Sequence, residues 1–240
     1  MIIPYKDEFT SLSTLIQVVF PNIERYSNSV DLMIDRAVLT PKNDDINEIN
    51  RILIDKLPRL ITRYYSFDET IDCCQQEYFL NSLTPNNLPP YVLVLKLNCP
   101  IIFLRNIHPI EGLCNGTRLI CYAFQPNVID AEIAVGDHRV KRVFIPRIPL
   151  KPYEIAKYPF PFKRTQFPIC LSFAMMINKA QGQTLNFVSI YLSQSVFAHG
   201  QLYVALSRAK TANSVKVLIR PTSFKTQMMD ALEMLFIKKY

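Results

Sequence analysis

The 240-residue chain has no tryptophan and only five glycines. None of those glycines precedes a Lys-Ser or Lys-Thr pair, so the phosphate-cradling loop G-x-x-x-x-G-K-[ST] is absent from it. Long hydrophobic runs are missing too. The longest, Tyr91 to Leu104, is broken by Lys96, Asn98 and Pro100, which suits buried strands and not a bilayer span. The opening residues Met1 to Asp7 lack the charged start and apolar stretch of a signal peptide, so the expectation is a soluble chain inside a cell with no membrane partner. Six cysteines show no C-x-x-C spacing, and the three histidines lie far from any cysteine pair. Adjacent Cys73 and Cys74 cannot easily share one tetrahedral ion, so ordinary reduced thiols and no metal site are expected.

An apolar share of 49% with 11% aromatics is enough for a sizeable core, in one large domain or one domain carrying an insertion. Net charge is +7, and the excess is concentrated. Between Gly136 and Thr165, Arg139, Lys141, Arg142, Arg147, Lys151, Lys157, Lys163 and Arg164 stand against only Asp137 and Glu154. Such a segment predicts a polyanion-facing surface, with a solvated basic loop as the alternative.

Along the chain, RAVLT (36–40) reads as a strand, and Asn43 or Asp44 is placed to cap a helix running to about Leu57. Ile46, Ile49, Leu53 and Leu57 give that helix an apolar face. From about Leu88 to Pro149 short β-type runs alternate with turn signals, which predicts a small barrel or sandwich. After a proline-rich stretch, PICLSF reads as a strand, with Phe173, Met176, Ile177 and Ala180 on one face of a following helix. FVSIYL is a further strand, Leu202, Ala205, Leu206 and Ala209 line a second helix, and SVKVLI closes as a strand. The expectation is an α/β fold with a largely parallel sheet and an all-β insertion.

Two short segments, NKAQGQTL and HGQLYVALSRAK, hold two of the five glycines beside Lys179, Gln181, His199, Gln201 and Arg208. In a parallel sheet, ligands collect at the carboxyl ends of strands. Gly182 is read as a positive-φ turn after a helix, and Gly200 as the start of a helix whose N–H groups could meet an anion. Arg208 falls off the apolar stripe, where a guanidinium suits a phosphate. A plain helix cap at Gly182 and a dipole-complementing charge at Arg208 remain the alternative.

SFAMMINKAQGQTL followed by HGQLYVALSRAKT resembles motifs V and VI of the Pif-type helicases of superfamily one. RAVLTPKNDDINEIN resembles the motif IV region, and LPPYVLVLKLNCPIIFLRNIHPIEGLCNGTRLI resembles the family's β-rich inserted domain. VFIPRI and FKRTQFPICLSFAM resemble its return to the main domain. The resemblance covers about Val30 to Ile219 in the family's order and implies the second RecA-like domain of a P-loop-type helicase with a small β-barrel insertion. It implies the division 1–29 N-terminal extension, 30–84 first part of the RecA-like domain, 85–150 insertion, 151–168 proline-rich basic bridge and 169–240 second part. Further implications are a 5′-to-3′ ATP-dependent DNA helicase and a nuclear or mitochondrial location. ATP and Mg would bind only together with a first RecA-like domain, in cis or in trans, because the phosphate loop is lacking. Single-stranded DNA is the implied partner.

By the resemblance, Arg208 is the arginine finger, and Gln181, Gly182 and Gln201 lie near the nucleotide. Asn43, Asn178, Lys179 and His199 lie on the DNA side, and Arg105, Asn106, Asn115, Thr117 and Arg118 border the single-strand channel. Asn115-Gly116 as a hairpin turn, Arg105 as a solubilising strand-edge charge and His199 as a turn histidine are the structural alternatives. The chain departs from the family's usual Thr at Met176, Ser at Ala180 and Gly at Asn98, which weakens the DNA-contact assignments more than that of Arg208. A non-catalytic single-strand-binding module and a relic with protein contacts only are the competing functions.

Overall fold

The computed structural model describes residues 2–24, 30–71, 80, 81, 83, 85, 88–152, 161–194 and 199–221. Cys73, Cys74, Lys157 and the residues beyond 221 lie outside this set, as does the His199 side chain. In chain order the elements are β1 (Ile2–Ile3), α1 (Glu8–Val19), α2 (Val30–Ile34), β2 (Arg36–Thr40), α3 (Asn43–Lys56), β3 (Thr62–Tyr65) and β4 (Phe67–Thr70). Then come β5 (Val92–Leu95), β6 (Pro100–Phe103), β7 (Arg118–Phe124), β8 (Val128–Ile133), β9 (Arg142–Pro146), β10 (Ile148–Leu150) and β11 (Phe162–Gln166). β12 (Ile169–Leu171), β13 (Ala174–Met176), β14 (Phe187–Leu192), α4 (His199–Leu206) and β15 (Val215–Ile219) follow. The chain divides into one unit of Met1–Pro58 with Ser172–Tyr240 and a second of Arg59–Leu171.

The first unit is built on a sheet of order β1-β15-β14-β2-β13, parallel throughout. β2, β14 and β15 are apolar on both faces and almost wholly buried, as a helix-covered parallel sheet requires. α1 packs its Leu12, Leu15, Ile16 and Val19 against this sheet. Asp7 caps α1 by accepting from the Thr10 N–H at 2.9 Å, and that bond holds its carboxyl below the ordinary value. Residues 1–29 carried no structural expectation beyond an extension, yet β1 forms a sheet edge and α1 a core layer. α3 begins at Asn43 with Lys42 in the capping position and no side-chain cap bond, so neither Asn43 nor Asp44 caps it.

The helix expected over Phe173–Ala180 is corrected. Ala174–Met176 is strand β13, aligned with Val38–Thr40 of β2, and only Ile177–Ala180 coils, as a single 3-10 turn. The cause is pairing with a residue distant in sequence. Asn50 of α3 donates its amide to the Ala174 carbonyl (3.1 Å) and accepts the Ala174 N–H (2.8 Å), filling the open edge of the sheet. A short apolar run buried on both sides fits either periodicity, and here the edge pairing decides. PICLSF likewise splits: β12 ends at Leu171 and pairs antiparallel with β6, outside the parallel sheet.

The second unit is all antiparallel, with sheets of order β12-β6-β7-β8-β9, β10-β11-β4 and β3-β5. β8 alternates half-buried with buried residues and β9 exposed with buried ones, as strands with one wetter face do. The unit therefore takes in β3, β4, β11 and β12 as well as the strands of 85–150. Its core holds an ion pair with no solvent access: Arg164 Nη2 lies 2.7 Å from Asp68 Oδ2, with side-chain exposures of 0% and 1%. Arg164 also donates to the carbonyls of Pro89, Leu80 and Leu83, and Ser66 donates to Asp68 at 2.7 Å. Cys99 and Cys121 are buried, Cys114 and Cys170 half-buried, and none of the four is in a disulfide.

Candidate nucleotide and nucleic-acid edge

In the first unit β14, β2 and β13 are neighbours and run parallel, so their carboxyl ends share one edge. Three of the sequence-nominated segments leave from that edge. Asn43 starts α3 just after β2; Asn178–Gly182 follow β13; His199 and Gln201 open α4 after β14. The Gln183 N–H bonds back to the Ala180 carbonyl (3.1 Å) and its side chain to the Lys179 carbonyl (3.1 Å). That tight turn needs Gly182 at φ +80°, a left-handed conformation costly for other residues. Asn43, Asn178, Gln181 and Gly182 are exposed, and Lys179 and Gln201 are half-buried. Gln201 Nε2 lies 3.4 Å from Asn178 Oδ1, a long contact joining the two motifs.

Arg208 lies in the turn after α4, and its guanidinium is engaged by its own chain. Nε donates to the Val204 carbonyl (3.0 Å), Nη1 to those of Gln183 (3.1 Å) and Ala180 (3.3 Å), and Nη2 to Ser207 Oγ (2.8 Å). The backbone adds a bond from the Leu185 N–H to the Arg208 carbonyl at 2.9 Å. The segment from Ala180 to Leu185 and the end of α4 are thus joined by hydrogen bonds through Arg208.

Sequence reasoning missed a polar group at the same edge. Asp45 Oδ2 accepts from Thr40 Oγ1 (3.0 Å) and Ser193 Oγ (2.6 Å), tying α3 to the ends of β2 and β14. Burial pushes the phenol of neighbouring Tyr191 well above the ordinary tyrosine value, and the Asp45 charge pushes the same way. Thr40 and Asp45 were visible as a polar strand end before a helix; nothing in the sequence pointed to Ser193, 148 residues on from Asp45.

In the second unit Arg105, Asn106, Asn115 and Thr117 share the loop between β6 and β7, but much of their polarity is spent inside it. Asn106 Oδ1 accepts the Asn115 N–H (2.8 Å), and Thr117 Oγ1 donates to the Gly112 carbonyl (2.8 Å). Arg105 donates to the Leu104 and Lys151 carbonyls at 3.1 and 3.3 Å. Arg118 is corrected: it begins β7 with no solvent exposure, so it belongs to the unit's interior and not to a channel wall. Asn98 adopts φ +66°, a conformation asparagine tolerates, so the turn survives the departure from glycine.

Half of the basic residues of the Gly136–Thr165 segment are ion-paired within the protein. Lys141 pairs with Glu111 at 2.8 Å, Lys163 with Glu69 at 2.9 Å, Arg164 with Asp68, and Arg142 with Asp130. Lys141 holds the Glu111 carboxyl below the ordinary range. Arg147 lies over the rings of Tyr64 and Phe167 and donates to the Tyr65 carbonyl at 2.8 Å. Every acidic partner of these four lies outside the segment, so a count within the segment overstates its unpaired charge.

Residues 78–124 match the family described as "DNA helicase Pif1, 2B domain". The chain is 29% identical over 189 residues to the ATP-dependent DNA helicase PIF1 of Danio rerio, covering 75% of this chain and 27% of that one. The human PIF1 is 28% identical over 183 residues, covering 75% and 26%. Among solved structures, Pif1 helicase from Candida albicans superposes with a TM-score of 0.62 at 19% identity, over 95% of this chain and 54% of that one. Bacteroides Pif1 in complex with ADP-AlF3 and ssDNA gives 0.59 at 22% identity, over 95% and 51%. The chain thus spans about a quarter of the length of these curated relatives and about half of the solved chains. The fold is a RecA-like parallel sheet with an antiparallel β insertion, and in sequence and fold the chain is similar to the Pif1-type DNA helicases.

Proposed function

We propose that this chain acts as the carboxyl-terminal motor half of a Pif1-type, 5′-to-3′ ATP-dependent DNA helicase, holding single-stranded DNA and offering Arg208 to a nucleotide bound by another RecA-like domain. The observation that carries the reading is the convergence of Asn43, Asn178–Gly182 and Gln201 on neighbouring strand ends of one parallel sheet, with Arg208 beside them. Ligands of parallel α/β sheets gather there.

ATP fits this edge only in part. Gln181, Gln201 and Arg208 are suited to polar and phosphate contacts, but the phosphate loop is absent from the sequence. Among the described residues no cluster of three acidic, histidine or cysteine side chains is placed to hold a metal ion. ATP and Mg therefore need a first RecA-like domain, in cis or in trans, and this chain alone does not turn ATP over. When bound, they would supply the free energy of phosphoryl transfer; this chain's residues grip and release the strand. A nuclear or mitochondrial location follows from the same reading.

The experiment is a fluorescence-anisotropy titration of the chain with labelled oligo-dT across a salt series, with duplex DNA as control. Preference for the single strand that weakens with salt is expected. No binding even at low salt would remove the helicase reading and leave common ancestry only.

A further inference from the structure

Arg208 has two calls on one guanidinium. As a finger it must reach a phosphate; in this structure four of its N–H groups are directed at its own chain. Two of the acceptors, the carbonyls of Ala180 and Gln183, bracket Gly182 in the turn that carries Asn178 and Lys179. Ser207 supports the arrangement: its hydroxyl accepts from Arg208 Nη2 and donates to the Val204 carbonyl, each at 2.8 Å. The turn is anchored on its other side by Leu185, buried and bonded to the Arg208 carbonyl.

We propose that Arg208 is a positioning residue for the Asn178–Gln183 turn, holding it in its DNA-facing shape when no nucleotide is bound. The proposal rests on the helicase reading for what the turn faces, and on geometry alone for what holds it. An anion that draws the guanidinium away competes for the same donors that fix the turn. Engagement of a phosphate by Arg208 therefore loosens the turn, and a tightly held turn opposes that engagement, since coupling between two ligands is reciprocal. One side chain then links the nucleotide side of the edge to its nucleic-acid side. A residue serving only as a finger would leave nucleotide-free DNA binding untouched.

The test uses the full chain with Arg208→Ala, Arg208→Lys and Ser207→Ala, without nucleotide. Amide exchange at Gln181–Leu185 is expected to quicken about tenfold or more in Arg208→Ala, as loss of two charged-donor bonds allows, while amides of β2 and β14 hold. Arg208→Lys, which keeps the charge and can reach one carbonyl, is expected to fall between. Oligo-dT affinity should drop in step with the quickened exchange, because Arg208 acts through the turn that carries Lys179. A lower affinity and a slope smaller by about 0.7 with exchange in the turn unchanged would mean a direct phosphate contact and overturn the proposal. Unchanged exchange in the turn would also overturn it. If Arg208→Ala unfolds as a whole, Ser207→Ala and Arg208→Lys give the same exchange readout. Should the unaltered chain fail to bind oligo-dT, the helicase reading falls while the exchange result still decides what holds the turn.

Discussion

Replacing Asp68 by alanine should be among the costliest single changes in the second unit. Arg164 and Asp68 have side-chain exposures of 0% and 1%, and Arg164 grips the carboxylate through Nε at 3.0 Å and Nη2 at 2.7 Å. Deleting one partner of a buried pair strands the other charge and costs about 3–5 kcal/mol. Here the Pro89, Leu80 and Leu83 carbonyls continue to solvate the guanidinium, at 3.1 to 3.2 Å, so the lower half of that range is expected. The double change Arg164→Met with Asp68→Leu removes both charges and keeps the volume, so it should cost less than Asp68→Ala alone. By contrast Lys163–Glu69, with both side chains 39% exposed, is worth at most about 1 kcal/mol. The assay is urea unfolding followed by far-ultraviolet circular dichroism and tyrosine emission, since no tryptophan is available. A loss of about 3–4 kcal/mol moves the midpoint of the second unit by roughly 2 M. A midpoint within about 0.5 M of the parent, or a double variant weaker than the single, would refute the reasoning.

Asn50→Ala leaves the Ala174 N–H and carbonyl without their side-chain partner, and about 2–3 kcal/mol of stability should be lost from the first unit, read by urea unfolding. Gly112→Ala forces a side chain onto φ +80° and sets its Cβ 2.7 Å from His138 Cδ2; pairing it with His138→Ala should recover the steric part but not the backbone part of the loss, measured as a double-mutant cycle. Burial raises the phenols of Tyr191 and Tyr64 above their ordinary value near 10. The folded chain therefore keeps protons that the unfolded chain releases, so this stabilisation is complete below pH 10 and is lost as pH climbs toward the folded-state values. Tyr191→Phe should flatten that alkaline loss in the first unit, checked by unfolding midpoints at stepped pH against phenolate absorbance.

Elements whose signal is local were legible from the residues. RAVLT, FVSIYL and VKVLI are strands β2, β14 and β15, and the helix after Pro41 is α3. Elements defined by a distant partner were not. β1 has two residues and exists because β15 offers an open edge. β13 reads as a helical face until Asn50, 124 residues earlier, satisfies its backbone. The site shows the same division. Gly182 at positive φ follows from its own sequence context, whereas the commitment of the Arg208 guanidinium depends on carbonyls up to 28 residues away.

The basic segment shows how much a windowed charge count can mislead. Arg164 and Asp68 are separated by 96 residues, and the acids paired with Lys141 and Lys163 also precede the segment. The net charge of +7 still favours encounter with a polyanion at long range, but encounter and contact are different quantities. Each phosphate contacted on a single strand adds about 0.7 to the salt slope, so eight cations facing the strand would give a slope of about 5 or 6. With Lys141, Arg142, Lys163 and Arg164 already paired inside the protein, a slope of about 3 or less is expected. A measured slope near 5 would mean that these ion pairs open on binding and that the segment, not the strand-end edge, is the main nucleic-acid surface. A shallow slope with retained preference for single strands would locate recognition where Asn178, Lys179 and Gln201 converge.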